Sequence, residues 1–306
     1  MWFKNIKAYR LTSPLSLHDD DVQSALTEVQ FRPCGKQEAA SMGFAPPFSH
    51  NTSHQNDSNA SLFHRVEDRY WFCLKKQERL LPAAVVNAEV EERKAQIEAE
   101  TGVALGKKAQ QDLKQEIITR LMPQAFTKNT FTHGFISLRD DLVVVDASAD
   151  GKAEAFLAML RKALQSLPVV PIARHSLQSE LTHWLTAHPP TGISLLEEVE
   201  LKSTDEVASI VRCKNQPLDS EEIETHLAAG KLVQKVAFEY QEAMTALIAE
   251  DGSIKRIKFS DQIKEEVADI PKDQVAARMD AEFALMSGQL SEFIKFIQQA
   301  LNLEQE

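Results

Sequence analysis

Short runs rich in aliphatic and aromatic residues occur in pairs along the chain, and such pairs predict antiparallel hairpins. A polar turn separates the two strands of each pair, and in the last pair this turn is Asp251-Gly252. The predicted pairs are residues 62–66 with 70–75, 131–138 with 142–147, and 231–250 with 253–259. A further strand is predicted over residues 1–11 and another over 207–213.

Apolar residues at helical spacing predict helices between these strands. The predicted helices are residues 16–29, 152–165, 177–187, 220–230, a helix after Pro271, and 290–301, with a separate short apolar run at 283–286. Residues 46–61, rich in Ser, Asn and His, have no apolar period and predict a loop.

Residues 83–121 differ from their surroundings because Ala, Glu, Lys and Gln dominate and large apolar residues are few. Gly102 and Gly106 interrupt this segment and Pro123 ends it, so it predicts two helices with a break, each over about 20 Å long. We expect this pair to project from the body of the protein. A small coiled-coil contact is the alternative.

Strands in hairpins with interspersed helices, and no repeated strand-helix-strand crossover, predict an α+β fold with antiparallel sheets. We expect three regions within residues 1–306. Residues 1–75 and 126–175 are predicted to form a central sheet region, residues 76–125 a projecting helical region, and residues 176–306 a second α+β lobe.

The composition predicts a folded chain that needs no disulfide or metal. Its 306 residues are 43% hydrophobic and include 10 glycines and 12 prolines, which is ordinary for a globular protein. Cys34, Cys73 and Cys213 lie far apart, which favours a reducing compartment and core positions. Because no signal-like or membrane-spanning segment is evident, we expect a cytoplasmic protein.

The formal net charge of -11 argues against a nucleic-acid partner, but the charge is unevenly distributed. Residues 65–128 contain 12 basic and 10 acidic side chains, whereas residues 261–306 contain 4 basic and 10 acidic ones. A basic surface on an acidic protein is therefore possible.

The search for catalytic and cofactor motifs finds none, so we predict a protein that is not an enzyme and has no cofactor. GxGxxG, Walker A and nucleophile-elbow sequences are absent. His175, His183 and His188 lack the spacing of zinc ligands. The alternative is a metal-dependent nuclease whose carboxylates are Asp19, Asp20 and Asp21, or Asp140, Asp141 and Asp146. A simpler explanation exists for each group: the first stands at the start of a helix, and the second reads as a turn.

Several segments, in the same order over essentially the whole chain, resemble the RdgC family of recombination-associated proteins of proteobacteria. They include Met1-Trp2-Phe3-Lys4-Asn5, Phe31-Arg32-Pro33-Cys34-Gly35, Met42-Gly43-Phe44-Ala45-Pro46-Pro47, Leu167-Pro168-Val169-Val170-Pro171 and Asp251-Gly252-Ser253-Ile254-Lys255-Arg256-Ile257-Lys258-Phe259. The loop before Ser61 is longer than expected for the family.

The resemblance implies horseshoe-shaped subunits that form a ring-shaped homodimer around duplex DNA. It also implies binding of double- and single-stranded DNA with little sequence preference, association with the nucleoid, and restraint of RecA-dependent recombination. Basic residues need only line the interior of such a ring, which is compatible with an acidic exterior. The alternative is an interaction factor that acts directly on a recombinase and binds DNA weakly.

Three groups of basic residues are candidate DNA contacts. Lys75, Lys76 and Arg79 follow an aromatic strand, and a solvated strand end is their alternative. Helix-surface ion pairs are the alternative for the residues of the helical region, which are Arg93, Lys94, Lys107, Lys108 and Lys114. Lys255, Arg256 and Lys258 form the third group, and strict alternation predicts that Arg256 and Lys258 share one face while Lys255 points to the other.

Two further candidates follow from the resemblance. Phe126 corresponds to a subunit contact, with a core phenylalanine as the alternative. Arg212, Lys214 and Gln216 lie in a polar tip that resembles a finger near the hole of the ring. Asn215 stands in this tip where a lysine is expected, which weakens its electrostatic case.

Overall fold

The computed structural model describes residues 2–48, 60–205, 208–271 and 274–303. Most of the predicted loop before Ser61 therefore lies outside the described residues. The strands are β1 (Ile6–Leu11), β2 (Ala40–Ala45), β3 (Phe63–Val66), β4 (Arg69–Leu80), β5 (Phe126–Ser137), β6 (Leu142–Asp146), β7 (Val169–Pro171), β8 (Ile193–Lys202), β9 (Ile210–Lys214), β10 (Leu232–Tyr240), β11 (Met244–Ala249) and β12 (Ile254–Phe259). The helices are α1 (Asp19–Glu28), α2 (Ala83–Thr101), α3 (Lys107–Leu121), α4 (Asp150–Leu164), α5 (Gln178–Thr186), α6 (Glu221–Ala228), α7 (Asp261–Glu265) and α8 (Val275–Ala300).

The described strands join into one antiparallel sheet, which confirms the predicted α+β class. Its order is β2-β4-β5-β6-β1-β12-β11-β10-β8-β9, with β3 paired to β4 and β7 paired to β1. The first and second halves of the chain meet where β1 pairs with β12, through Ile6 and Ile254. The Ile257 amide also donates to the Lys4 carbonyl across this seam, at 2.8 Å.

One face of the sheet, which we call face A, is covered along both halves. Helices α5, α6, α7 and α8 contribute buried residues to the apolar cluster on this face. The long helix α8 joins the two halves because Phe283 stacks on Trp71 of β4 and Phe293 stacks on Phe238 of β10, with ring centroids 4.9 and 5.4 Å apart.

The opposite face, face B, is covered only over the first half. Helices α1 and α4 pack there on apolar residues of β1, β4, β5 and β6. Gly134 of β5 permits this packing because a Cβ at that position would lie 2.6 Å from the Phe156 ring. None of the described helices contributes buried apolar residues to face B of β8 to β12, so this part of the sheet is open.

Helices α2 and α3 form a hairpin with an apolar cluster of its own. Val86 and Val90 of α2 pack against Leu113 and Ile117 of α3. Gly102 ends α2 with a φ of 69°, a left-handed conformation that glycine adopts without strain. The two predicted helices and the break between them are confirmed.

The structure of the second half differs from the sequence prediction at three places. The predicted strand 231–250 is two strands, β10 and β11, joined by a turn in which Gln241 and Glu242 both have positive φ without the usual glycine or asparagine. The apolar run 283–286 and the helix 290–301 belong to one helix, α8, which continues through Gly288 because buried residues on both sides hold it against the sheet. Strand β8 was not predicted because its sequence, ISLLEEVELK, does not alternate regularly.

Candidate nucleic-acid interface

A bulge in β12 directs three basic side chains to face B. Ile254, Ile257 and Phe259 are buried in the face A cluster, so the residues between them point the other way. The pairing with β11 shifts register between Lys255 and Lys258, and Arg256 has a φ of 54°. The extra residue of a bulge interrupts the alternation of the strand. Lys255, Arg256 and Lys258 therefore share face B, and the prediction that Lys255 points away from the other two was wrong.

Neighbouring strands add charged residues to the same open surface. Arg212 and Lys214 of β9 alternate with the buried Cys213, and Glu198 and Glu200 of β8 pair with Lys214 and Arg212 in register. Lys235 of β10 pairs with Glu200 on the other side. We call these residues together with those of β12 the basic face, whose members are Glu198, Glu200, Arg212, Lys214, Lys235, Lys255, Arg256 and Lys258.

Side chains of the basic face converge from separate strands. Arg256 and Glu198 lie on strands separated by β11 and β10, so roughly 14 Å divides their backbones in a flat sheet, at about 4.8 Å per strand. Their side chains are long enough to span this distance and meet at 2.8 Å between Nη2 and Oε1. This ion pair therefore lies across the two strands between them.

The surface is concave here because it holds a cleft of about 380 Å³. Five cationic side chains and two carboxylates line it, an excess of three positive charges on a chain whose formal net charge is -11. These lining residues are Arg212, Lys214, Lys235, Lys255, Arg256, Glu198 and Glu200.

Each of the two carboxylates of the basic face bridges two cations. Glu200 contacts Arg212 at 2.7 Å and Lys235 at 2.8 Å, and Glu198 contacts Arg256 at 2.8 Å and Lys214 at 3.7 Å. Partial burial favours the neutral acid at Glu200, but hydrogen bonds from Lys235 and Arg212 outweigh this and hold its pKa below the ordinary value. Within the described part of the chain, no carboxylate pairs with Lys255 or Lys258.

Lys75, Lys76 and Arg79 do not form a single positive point. Lys75 lies on the side of β4 that carries Trp71 and contacts the rings of Phe31 and Phe131, with its Nζ 4.3 and 5.7 Å from their centroids. Lys76 points to the opposite side and pairs with Glu78 at 2.9 Å. Arg79 donates to the carbonyl oxygens of Ala125 and Gly35. The structure therefore separates these three side chains.

The basic residues of the helical hairpin divide into two kinds. Lys94 forms a helix-surface ion pair with Glu91, as the alternative interpretation expects, and Arg93 donates a hydrogen bond to the amide oxygen of Gln96. Lys107, Lys108 and Lys114 of α3 are exposed. Lys107 and Lys108 stand in the first turn of α3, where the helix dipole disfavours positive charge, so helix stability does not explain them.

The backbone conformation explains the unexpected asparagine in the polar tip at the end of β9. Asn215 has a φ of 54°, a left-handed conformation that asparagine adopts more readily than lysine. Gln216 donates to Ser220 and to Glu222 at 3.2 and 2.9 Å, which connects the tip to the start of α6. Arg212 and Lys214 thus belong to the basic face, while Gln216 contacts the neighbouring helix.

Phe126 is not a core residue. It begins β5 beside the hairpin of α2 and α3, pairs in register with Leu80, and is 84% exposed. Leu80 is itself 46% exposed. The alternative of a core phenylalanine was therefore wrong, and the two side chains form an exposed apolar pair.

The aspartates considered for a nuclease are engaged separately. Asp19 accepts from Tyr70 and Arg65, Asp140 contacts Lys295 and Ser137, and Asp146 accepts from the amides of Lys4 and Asn5. Across the described ranges, no group of three or more His, Cys, Asp or Glu residues could hold a metal ion. No described helix is long and apolar enough to span a membrane.

Three members of the basic face were not predicted from the sequence, namely Lys235, Glu198 and Glu200. Alternation within β8 and β10 could have indicated them, but β8 was not predicted and β10 was merged with β11. Their position across the sheet from β12 depends on the strand order.

Comparison with known proteins agrees with the resemblance. Residues 1–304 match a family model described as "Putative exonuclease, RdgC". The chain belongs to the RdgC family. A protein of Pseudoalteromonas atlantica named recombination-associated protein RdgC is 57% identical over 307 residues, which cover 100% of this chain and 99% of that protein.

More distant members of the RdgC family carry the same name. The Sodalis glossinidius protein is 39% identical and covers 96% of this chain and 95% of its own length. The Psychromonas ingrahamii protein is 40% identical and covers 100% of this chain and 99% of its own length. The relatives are thus named for recombination, whereas the family description names an exonuclease.

Proposed function

We propose that this protein binds DNA without sequence preference through the basic face and does not cleave it. The supporting observation is the concentration of lysine and arginine on one open, concave part of a sheet in an otherwise acidic protein. Lysine and arginine side chains recognise phosphate through charge, and contacts to phosphate carry no direct information on base sequence. Both double- and single-stranded DNA carry the required phosphates.

The proposal extends to a ring-shaped homodimer that encircles duplex DNA and restrains RecA-dependent recombination at the nucleoid. The concave basic face supports this geometry, since two curved subunits could place such faces around one duplex. The exposed pair of Phe126 and Leu80 supports a subunit contact beside the helical hairpin. Occupation of DNA by such a ring would limit access of the recombinase.

The test is a salt titration of binding to a mixed-sequence 30-base-pair duplex, followed by fluorescence anisotropy without any partner protein. We expect tight binding at low salt, with log K falling by about 0.9 per log unit of salt for each phosphate neutralised. Equal affinity for unrelated sequences is expected as well. Light scattering of the free protein should give the mass of a dimer.

Other outcomes would favour the alternatives. Absence of duplex binding, together with direct binding to a recombinase, would support a protein-interaction factor. Loss of intact duplex that stops on addition of a chelator would support the nuclease.

A further inference from the structure

The two carboxylates of the basic face lie where phosphate groups would bind. Glu198 joins Arg256 of β12 to Lys214 of β9, and Glu200 joins Arg212 of β9 to Lys235 of β10. Four of the five cations that line the cleft are therefore already paired with an anion of the same chain.

A carboxylate and a phosphate make the same kind of contact with arginine and lysine. Both accept short charge-assisted hydrogen bonds, and both can bridge two donors. A phosphate that uses the same donors of Arg256 or Arg212 must displace a carboxylate oxygen, and a phosphate that binds the remaining donors of the guanidinium is repelled by the carboxylate that stays in place.

The cations of these pairs are more accessible than the carboxylates. The side chains of Arg212, Lys214 and Arg256 are 66%, 64% and 52% exposed, whereas those of Glu198 and Glu200 are 27% and 16% exposed. A phosphate can therefore reach these cations from solvent, while the two carboxylates lie beside them as negative charges in the path of an anion.

We infer that Glu198 and Glu200 are internal competitors of DNA phosphate that hold the affinity of the basic face well below what its cations alone would give. This inference rests on the proposed DNA binding. Lys255 and Lys258, which no described carboxylate pairs, then make the first contacts, and the paired cations engage only when a polyanion displaces both glutamates. A weakened surface of this kind would let the protein release and move along DNA.

The test compares the full-length E198Q/E200Q double variant with the unsubstituted protein on a mixed-sequence 30-base-pair duplex across a salt series. Glutamine keeps the size of the side chain and removes its charge. We expect binding about tenfold tighter, and a plot of log K against log salt steeper by about 2, which corresponds to two additional phosphates neutralised.

The matched control is E197Q/E292Q, which removes two negative charges from exposed positions outside the basic face. Glu197 is next to Glu198 on β8, and Glu292 lies on α8, which packs on face A. We expect this control to change affinity by less than about twofold with an unchanged slope, because among the described residues neither Glu197 nor Glu292 forms an ion pair with a cation of the basic face for a phosphate to compete with. Thermal unfolding of all variants checks that the fold is intact.

The outcomes separate the inference from the proposed function. Equal tightening in both double variants, tighter binding without a steeper slope, or weaker binding of E198Q/E200Q would each overturn the inference. A K255A/K258A variant that binds as well as the unsubstituted protein would instead overturn the placement of DNA on the basic face. Absence of binding by every variant would overturn both.

Discussion

The two halves of face B use one sheet surface in opposite ways. Over the first half, Val143, Val145 and Phe72 point to this face and lie under α1 and α4. Over the second half the same side of the sheet presents the basic face, and none of the described helices lies over it. Burial against helices requires apolar side chains, whereas an open concave surface can concentrate charge. A single sheet can thus provide a core at one end and a candidate binding surface at the other.

The strongest test of this contrast is removal of Phe156, which α4 places between Phe44 and Gly134 on the covered half. Because Phe156 is fully buried, Phe156→Ala should lower the free energy of unfolding by about 3–5 kcal/mol. Urea unfolding followed by circular dichroism measures this change. A loss below about 1 kcal/mol would show that the covered half is not packed as described.

Removal of charge from the open half should have the converse effect. Replacing Lys255, Arg256 and Lys258 by alanine should weaken binding to every duplex sequence alike and reduce the salt slope by up to about 2.7, at 0.9 per phosphate contact. Anisotropy titrations at several salt concentrations provide the measurement, and the free energy of unfolding should change little. An unchanged slope would remove these residues from the interface.

The contact of Asp251 with Lys7 of β1, beside the seam between the halves, provides a test with a smaller expected effect. Partial burial favours the neutral acid at Asp251, but hydrogen bonds from Ser253 and Lys7 outweigh this and lower its pKa to about 2. A carboxylate whose pKa is lowered by folding stabilises the fold above its unfolded pKa of about 3.9, and this contribution is lost as the pH falls through the folded value.

We therefore expect D251N to reduce the free energy of unfolding near pH 6 and to have progressively less effect between about pH 4 and pH 2. Unfolding curves of both proteins across this range measure the difference. A constant difference at all pH values would mean that the charge of Asp251 does not hold the seam. E154Q is the matched control, because Glu154 is an exposed residue of α4 that lines the same pocket as Lys7 and Asp251.

The α+β class, the helical hairpin of α2 and α3 and the turn at Asp251-Gly252 were predictable from the sequence. They depend on short-range preferences: glycine ends α2, and hairpin turns join strands that are adjacent in the chain. The resemblance to the RdgC family was also available at this level, because it rests on residue identities in order.

The membership of the basic face was decided by the tertiary structure. Arg256 adopts a left-handed φ that its residue type does not favour, and the bulge at that position reverses the expected direction of Lys255. Glu198 and Arg256 are distant in sequence and meet only because β8 and β12 belong to the same half of the sheet. Local pattern determines which way a regular strand points, but strand order arises from pairing and packing between distant segments, which residue spacing alone does not encode.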